Sequence, residues 1–379
     1  MHSSTEKTDS YLAFLRFCLD ESAAVPPCVV AIDWSAFYEF CKEQSIVGIV
    51  FHGIERIDAS LRPDDKLLFR WYSITEKARK ANLVVDHEAV KVSRRFEAAG
   101  FCTCLLKGQG NALLYPSPRA RVSGDIDLWV YPRSLKPVQL EEAKATTFKF
   151  VRTIDPKAVP QYHHIDCRLG TKTLIEIHFT PTFANAPWHD KRMQRYFEEE
   201  APRQFAHAVD LPEGIGQINV PTNDFNRIFL LSHIMHHFFL EGIGLRQFVD
   251  YYYLLRQGLG DKEERRRERQ LLRHLGMERF ASAVMYVMHD ALGLDTKYLL
   301  VPPNEKLGKY LVDEIMASGN FGKADARYSF LGHNNIVLFF ILTARVLKSA
   351  WAYPAESLAR PCFLLWHQWW KWNFKRKIK

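Results

Sequence analysis

The spacing of the apolar residues changes twice along the chain, and this limits the folds that it can adopt. From residue 10 to about residue 100 the apolar residues recur at helical spacing. Residues 101–180 read instead as strands alternating with helices, and helical spacing returns after about residue 185. Gly100 follows Glu97, Ala98 and Ala99, as expected where a helix ends at a C-cap glycine. The pattern predicts an α+β protein with an N-terminal helical region (1–99), a mixed-sheet core (100–187) and a C-terminal helical domain (188–379).

Within the predicted core, strand-like and helix-like segments follow one another closely. FCTCLLKG and GDIDLWVYP are strand-like, whereas QGNALLYP and LKPVQLEEAKATTF are helix-like. HHIDCRL and TLIEIHF flank a short connection with a glycine at a turn position, so we predict an antiparallel hairpin. In the C-terminal domain, helices are predicted over residues 190–200, 224–240, 245–257, 261–275 and 278–292, with an extended piece at 217–220.

The composition is that of an ordinary globular protein. Of the 379 residues, 47% are hydrophobic, and the net charge of +8 suits a nucleotide, a nucleic acid or a membrane surface without choosing among them. The seven cysteines lack paired CxxC spacing, so neither a disulfide framework nor a zinc ribbon is indicated. No secretion signal is evident, and the most apolar stretch, residues 336–347, is shorter than a membrane span and is predicted to be a buried helix. These features predict a cytoplasmic protein.

The segment GDIDLWVYP carries two aspartates on one face of a predicted strand. Because side chains alternate along a strand, Asp125 and Asp127 point the same way, and the residues between and after them face the apolar side. The same alternation in TLIEIHF turns Glu176 and His178 away from the core. Two adjacent carboxylates repel each other unless a divalent cation keeps both ionised. A neighbouring strand that supplies Glu176 would complete a three-carboxylate metal site.

Three carboxylates on adjacent strands can hold two magnesium ions in the arrangement used for nucleotidyl transfer. In that arrangement Asp125 and Asp127 bridge both ions, and Glu176 binds only the ion at the attacking hydroxyl and is a candidate to accept its proton. An Asp-x-Asp pair alone is a weak signal, because such pairs are frequent on exposed strands. The prediction rests on the pair occurring together with a preceding strand-Lys-Gly-helix turn and a later strand that carries the glutamate.

The strand-to-helix turn in LLKGQGNALLYP is a candidate phosphate site. Glycine permits close backbone approach, and the first N–H groups of a helix are free to bind anionic oxygens. Lys107, Gly108 and Gln109 are therefore candidate nucleotide-binding residues, although a lysine-glycine turn before a helix is also a common structural feature. Arg121 can bind a phosphate through its guanidinium fork, or it can form a salt bridge with a nearby carboxylate.

Other polar residues are further candidates for the site, and some of them also have a structural explanation. His178 lies two residues from the glutamate on the same strand and is a further candidate to contact the nucleotide. Arg246 and Asp250 have the i, i+4 spacing of a helical ion pair, which explains them structurally, yet they are also candidates to line the substrate cleft. His233 and His237 share a helix face, which fits either a packed polar helix or a metal site.

The segment LLKGQGNALLYPSPRARVSGDIDLWV, followed by LIEIHFTPTF, resembles a bacterial family of uncharacterised nucleotidyltransferases in the DNA polymerase beta-like superfamily. A histidine-containing helix followed by EGIGLRQFVDYYYLL extends the resemblance over most of residues 100–260. The resemblance implies a polymerase-beta-like fold, binding of magnesium and a nucleoside triphosphate such as ATP, and metal roles for Asp125, Asp127 and Glu176. The turn differs from the Gly-Ser or Gly-Gly pattern of the wider superfamily, because Gln109 follows Gly108.

These features predict transfer of a nucleoside monophosphate from a nucleoside triphosphate to an acceptor hydroxyl on a small molecule, a sugar, a protein or an RNA end. A different class of hypothesis is a non-catalytic or accessory module of the same fold that associates with a membrane or a protein partner, for example in surface-polysaccharide assembly. The tail FLLWHQWWKWNFKRKIK interleaves aromatic and basic residues. This suits peripheral membrane contact or stacked nucleic acid, but also packing of the tryptophans against a core. The sequence gives no indication of the oligomeric state.

Overall fold

The computed structural model describes residues 2–136, 139–322, 325 and 335–377. A mixed five-stranded sheet follows a set of N-terminal helices and precedes the helices of the C-terminal half. The predicted α+β class, with a mixed sheet flanked by N-terminal and C-terminal helical regions, is confirmed.

The N-terminal helices are α1 (His2–Leu19), α2 (Trp34–Glu43), α3 (Val47–Arg56) and α4 (Asp65–Ala98). Two of them start at aspartate caps: the side chain of Asp33 accepts hydrogen bonds from two backbone N–H groups of α2, and that of Asp64 accepts one from α4. The long helix α4 ends just before Gly100, whose φ of 88° favours glycine. The helix end predicted at this glycine is therefore confirmed.

The main sheet contains β1 (Phe101–Leu106), β2 (Ile126–Pro132), β3 (Val159–Pro160), β4 (His164–Cys167) and β5 (Ile175–His178). Their spatial order is β1-β2-β5-β4-β3, and β2 and β5 are parallel while the other neighbouring pairs are antiparallel. The hairpin predicted from HHIDCRL and TLIEIHF is confirmed as β4 and β5. Because β2 and β5 are neighbours, the first aspartate-bearing strand and the glutamate-bearing strand lie side by side.

Two helices complete this α/β unit, α5 (Gly108–Ala112) and α6 (Leu140–Ile154). α5 is shorter than the helix predicted from QGNALLYP. α6 matches the later part of the helix predicted from LKPVQLEEAKATTF, and residues 137–138 of that prediction lie outside the described residues.

The two faces of the sheet belong to different apolar cores. Ile126 and Leu128 of β2 are buried in a core shared with α4 and α6. Trp129 points to the other face and stacks on Phe225 of the C-terminal half, with a ring-centroid distance of 6.0 Å. Asp127 and Trp129 are two residues apart in the strand, so their side chains lie on the same face, opposite to Ile126 and Leu128. The aspartate therefore faces the C-terminal helices.

The C-terminal half contains α7 (Pro187–Gln204), β6 (Ala208–Asp210), β7 (Gln217–Asn219), α8 (Asn223–Leu240), α9 (Leu245–Leu255), α10 (Lys262–His274), α11 (Glu278–Tyr286), α12 (Glu305–Ser318), α13 (Asn335–Leu347) and α14 (Pro354–Lys377). The helices predicted over residues 190–292 are confirmed, although α7 is longer than predicted and α11 ends in a π-helical turn, Val287–Ala291. The predicted extended piece is β7, which pairs with β6 in a separate two-stranded ribbon.

Helix α13 corresponds to the apolar stretch that was predicted to be buried. The helix forms, but the prediction of burial is wrong: Phe340 is 65% exposed, and only Arg345 and Val346 are buried among its described side chains. The physical reason is that the described residues bury the helix only near its C-terminal end and leave its other described side chains half-buried or exposed. Across residues 2–136, 139–322, 325 and 335–377, no helix combines the length and the apolar character needed to cross a bilayer.

Helix α14 carries the aromatic tail. Trp370 is 8% exposed and joins the apolar core of the sheet, whereas Leu365 and Trp369 are 62% and 59% exposed. Packing of the tryptophans was one of the predicted alternatives, and it applies to Trp370 but not to Trp369, because neighbouring helix positions face different directions. The basic end of the tail, from residue 375 onward, lies outside the side chains that the structure describes.

Candidate active site

Asp125, Asp127 and Glu176 converge at one edge of strands β2 and β5. Asp127 is the second residue of β2 and is paired in register with Glu176 of the parallel strand β5. Asp125 directly precedes β2. One carboxylate oxygen from each residue lies within 4.8 Å of the other two. The three side chains that strand alternation predicted to converge therefore do so.

The three carboxylates fit a divalent cation. Carboxylate oxygens are the ligands that Mg²⁺ prefers, at about 2.1 Å from the ion, so opposed ligands lie about 4.2 Å apart. The oxygens of the three residues, separated by 4.8 Å or less, need only small side-chain movements to reach one such ion. Asp127 is buried, whereas Asp125 and Glu176 are partly open to the cavity beside them. Asp127 is thus a fixed ligand, whereas Asp125 and Glu176 are more adaptable ligands.

Lys107 supplies positive charge to this acidic group. Its Nζ lies 2.7 Å from Oδ1 of Asp127. Burial disfavours the charged ammonium, but Asp127, Asp125 and Glu176 together raise the pKa of Lys107 above its usual value. The backbone of Lys107 has φ 53° and ψ −143°, a conformation that residues other than glycine rarely adopt. The turn between β1 and α5 therefore holds this lysine beside the carboxylates in a strained conformation.

His178 joins two of the carboxylates. Its Nε2 lies 3.0 Å from Oδ1 of Asp127 and 3.4 Å from Oε2 of Glu176. Burial disfavours the charged imidazole, but the hydrogen bonds to the two carboxylates outweigh this and raise the pKa of His178 to about 9. Burial likewise opposes ionisation of Glu176, yet the hydrogen bond to His178 lowers the pKa of that carboxyl. His178 is therefore an integral part of the acidic group.

Arg121 is held by Asp250 in a bidentate ion pair. Its Nε and Nη2 donate to the two carboxylate oxygens over 2.7 and 2.8 Å, and the hydroxyl of Tyr115 donates to the same carboxylate. Nη1 of Arg121 is buried without a hydrogen-bond partner among the described residues, although the side chain lines the cavity. An oriented guanidinium N–H that lacks an acceptor is suited to an anionic oxygen of a ligand. The salt bridge and the ligand contact are thus compatible roles.

These groups line one cavity of about 380 Å³ between the sheet and helices α8 and α9. Its volume is in the range of small-molecule sites, about 300–1,000 Å³. The carboxylates, Lys107, Arg121 and Arg246 form its charged part, and histidines form much of the rest. Its other lining residues are Gly108, Gly124, Leu230, Ile234, Leu240, Glu241, Gln247 and Asp250.

Histidines from the sheet and from α8 face the same cavity. His164 is the first residue of β4 and His163 directly precedes it, with Nε2 of His163 lying 3.0 Å from Nδ1 of His164. His233 and His236 come from α8. Burial first, and then neighbouring cationic groups, lower the pKa of His163, His233 and His236 well below the usual value. Burial therefore favours the neutral form of these three imidazoles.

The structure brings most of the predicted nucleotide-binding residues to the cavity, namely Lys107, Gly108, Arg121, His178, Arg246 and Asp250. The side chain of Gln109 is the exception, because it does not line the cavity. It is buried, and its Nε2 donates a hydrogen bond to Oδ1 of Asp86 on α4. The amide thus satisfies a buried carboxylate behind the turn instead of facing a ligand.

One contact of the site gives no signal in the sequence. Tyr115 lies near the end of the helix-like segment after the lysine-glycine turn, and nothing in its spacing marks it as the residue that helps to orient Asp250. Arg119 lies two residues before Arg121 in the sequence. It forms an ion pair of 2.7 Å with Glu213 and does not line the cavity.

The comparisons with known proteins give one family match and one structural match. A family model described as uncharacterised nucleotidyltransferase matches residues 31–293. Among solved structures, the chain is similar to an antigenic nucleotidyltransferase-like protein from Paracoccidioides brasiliensis, with 14% identity, coverage of 56% of this chain and 94% of that chain, and a TM-score of 0.33. The comparison with curated proteins gives no match. Because the family model covers more than half of the chain and includes all three carboxylates, the chain belongs to the family of uncharacterised nucleotidyltransferases.

Proposed function

We propose that this nucleotidyltransferase uses divalent metal ions to transfer a nucleoside monophosphate from a nucleoside triphosphate, such as ATP, to an acceptor hydroxyl. The observation that carries the proposal is the convergence of Asp125, Asp127 and Glu176, whose oxygens lie within 4.8 Å of one another at the wall of a cavity. Membership of the family supports the class of reaction.

In the proposed reaction, the acceptor oxygen forms a bond to the α-phosphorus, the bond from that phosphorus to the bridging oxygen breaks, and pyrophosphate leaves. Magnesium ions, when bound, lower the pKa of the attacking hydroxyl and neutralise charge on the triphosphate. Asp125 and Asp127 would hold two ions between them. Glu176 would bind the ion at the hydroxyl and accept the hydroxyl's proton.

The basic residues of the cavity would bind the triphosphate. The ammonium of Lys107 pairs with Asp127, and it would turn to a phosphate oxygen once a metal ion balances that carboxylate. Nη1 of Arg121 has no acceptor among the described residues, and Arg246 lines the same part of the cavity. The bidentate ion pair with Asp250 fixes the guanidinium of Arg121, so the N–H groups of Arg121 that do not bind Asp250 keep their direction.

Calorimetric titration tests this proposal without knowledge of the acceptor. The protein is titrated with each nucleoside triphosphate in a non-hydrolysable form, with and without Mg²⁺. We expect magnesium-dependent binding that the double variant Asp125→Ala, Asp127→Ala weakens by more than about ten-fold, or about 1.4 kcal/mol. The variant Asp313→Ala removes an exposed carboxylate on α12 and is the matched control. Identical binding by the wild-type protein and the double variant would refute the proposal.

A second candidate function is that of an accessory module at a membrane surface, and the exposure of Leu365 and Trp369 on α14 favours it. Exposed apolar and aromatic side chains beside basic residues suit the interface of an anionic bilayer. The sequence has no acidic residue after Glu356 and ends in a cluster of lysines and arginine. Membrane attachment is compatible with catalysis, so the two functions are tested separately.

A further inference from the structure

A second group of potential metal ligands lies directly beside the three carboxylates. His164, Glu176 and His178 each offer one ligand atom, and these atoms lie within 4.8 Å of one another. In the part of the chain that the structure describes, this group and the carboxylate group are the two that bring three such ligands together. Glu176 belongs to both groups, so ions bound at the two positions would share its carboxylate.

The strand pairing explains why these three ligands meet. β4 and β5 are antiparallel, and their register pairs His164 with His178 directly across the two strands. Side chains at such paired positions start about 5 Å apart and share a face of the sheet. Glu176 lies two residues before His178, and so on the same face. The ligands are therefore held by a hydrogen-bonded hairpin and not by a loop.

The donor atoms differ from those of the carboxylate group. Oxygen ligands suit Mg²⁺ and Ca²⁺, whereas imidazole nitrogens suit zinc, cobalt, nickel and iron. Once a bound ion displaces the proton of His178, two imidazoles and one carboxylate favour a borderline transition-metal ion over Mg²⁺. The two neighbouring groups thus have opposite metal preferences, although they share one residue.

The surroundings of His164 are those of an oriented metal ligand. Its Nδ1 lies 3.0 Å from Nε2 of His163, and its Nε2 lies 3.1 Å from Oδ1 of Asp166. Asp166 is itself fixed by a hydrogen bond of 3.0 Å from Nε2 of Gln161. A metal-bound imidazole is normally oriented by a partner at its other nitrogen. Whichever nitrogen of His164 binds an ion, the other has such a partner.

We propose that His164, Glu176 and His178 bind a transition-metal ion of the zinc type beside the magnesium site. The inference rests on the proposed function in one respect, since Glu176 is the residue assigned to the ion at the attacking hydroxyl. It deepens that function by adding, beside the magnesium ions, an ion with two nitrogen ligands that shares the carboxylate of Glu176, so that the neighbouring positions select different ions. Binding of the ion itself requires neither a nucleotide nor an acceptor.

Cobalt is the probe for this site, because the visible absorption of Co²⁺ is stronger when nitrogen ligands and a low coordination number replace six oxygens. The full chain, freed of metal with a chelator, is titrated with Co²⁺ alone. We expect an intense visible band that an equal concentration of Zn²⁺ removes and Mg²⁺ leaves in place. His164→Asn is expected to weaken Co²⁺ binding by about ten-fold or more and to reduce the band.

Two further variants keep the test independent of folding and of other cavity histidines. His164→Cys restores a metal-binding side chain, and we expect it to recover Co²⁺ binding with a new thiolate charge-transfer band in the near ultraviolet. His237→Asn removes an imidazole that lines the cavity but lies outside the ligand group, and it is expected to leave Co²⁺ affinity and spectrum unchanged. Unchanged Co²⁺ binding in His164→Asn would overturn the inference.

Asp125→Asn separates this inference from the proposed function, because Asp125 belongs only to the carboxylate group. We expect this variant to keep the intense Co²⁺ band while losing magnesium-dependent nucleotide binding. A weak, oxygen-type Co²⁺ spectrum that disappears in Asp125→Asn would overturn the nitrogen-ligated site and leave the proposed function standing. The intense band in a wild-type protein that binds no nucleotide with Mg²⁺ would support this site and refute the proposed function.

Discussion

Asp127 and Glu176 occupy paired positions on two neighbouring parallel strands. The separation of their backbones is therefore fixed by the hydrogen bonds of the sheet. Of the three clustered carboxylates, only that of Asp125 lies outside a strand. Substitutions at Asp127 and Glu176 should consequently change the chemistry of the site while the strands that carry it stay paired.

Replacing Glu176 with glutamine is expected to leave the affinity for a magnesium-bound nucleoside triphosphate within about three-fold, whereas Asp127→Asn is expected to weaken it by more than about ten-fold. The reason is that the aspartates hold the ion that carries the triphosphate, and Glu176 holds the ion at the acceptor. Calorimetry with a non-hydrolysable analogue measures both affinities. Glu213→Gln, at an exposed carboxylate outside the cavity, is the control. Equal losses in the two variants would contradict this division of roles.

The strained backbone of Lys107 makes a prediction about stability. Lys107→Gly and Lys107→Ala both remove the ammonium, so the difference between them reports the conformation at φ 53°. We expect the glycine variant to be the more stable by about 1–3 kcal/mol in urea unfolding. The same pair of substitutions at Lys77, an exposed position inside α4, should give the opposite order, by about 1 kcal/mol. The same order at both positions would argue against strain at Lys107.

The buried ion pair of Arg121 and Asp250 predicts a strong coupling between the two residues. Asp250→Leu leaves a buried guanidinium without its counter-ion and is expected to cost about 3–5 kcal/mol of unfolding free energy. The double variant Arg121→Met, Asp250→Leu should cost less than the sum of the two single changes, because no charge is then left unpaired. Urea unfolding of the four proteins gives the coupling energy. Additive losses would mean that the pair contributes no coupling.

His367 on α14 predicts a loss of stability in mild acid. Burial, with Lys371 and Arg360 nearby, lowers the pKa of His367 from 6.5 to about 4, and its Nε2 has no hydrogen-bond partner among the described residues. As the pH falls through 6.5, His367 is protonated in the unfolded chain but stays neutral in the folded chain. The free energy of unfolding therefore decreases until the pH approaches 4. His367→Gln should therefore lose less stability than the wild-type protein between pH 7 and pH 4.5. His52→Gln, at a more exposed histidine on α3, is the control, and an equal loss in His367→Gln would contradict the prediction.

The exposed face of α14 predicts binding to anionic membranes. Sedimentation with vesicles that contain an anionic phospholipid is expected to retain the protein, with weaker retention by purely zwitterionic vesicles and at high salt. Leu365→Ser combined with Trp369→Ser should reduce the retention by about ten-fold, since both side chains are exposed on this helix. Phe69→Ser removes an equally exposed apolar side chain from α4 and should have no effect. Retention that is the same for both variants would show that this face is not the contact.

Strand alternation was sufficient to predict the face of the sheet on which the acidic residues lie. Asp127 and Glu176 each follow an isoleucine that is fully buried, and this period of two identifies the face on which they lie. The Gly100 helix end and the hairpin of β4 and β5 were predictable for a similar reason, because each depends on residues close together in sequence. Local patterns thus fix which side chains face the site.

Contacts between distant segments could not be predicted in this way. The histidines of α8 meet those of β4 only because the helix packs over that face of the sheet, and helical spacing alone does not say what a helix covers. The hydrogen bond between Gln109 and Asp86 could not be predicted, because the two residues lie on different helices and no sequence pattern links them. The exposure of Phe340 was not predicted for the same reason. Apolar composition indicates that a helix is buried but does not identify the surface against which it packs.

The pairing of Arg121 with Asp250 spans 129 positions of the chain and connects the approach to β2 with α9. A fragment that ended after the sheet would keep the acidic residues but lose the carboxylate that orients this arginine. In related sequences, a substitution at either position alone would leave an unpaired charge in the protein interior. We therefore expect the two positions to vary together during evolution, even where the histidines around them diverge.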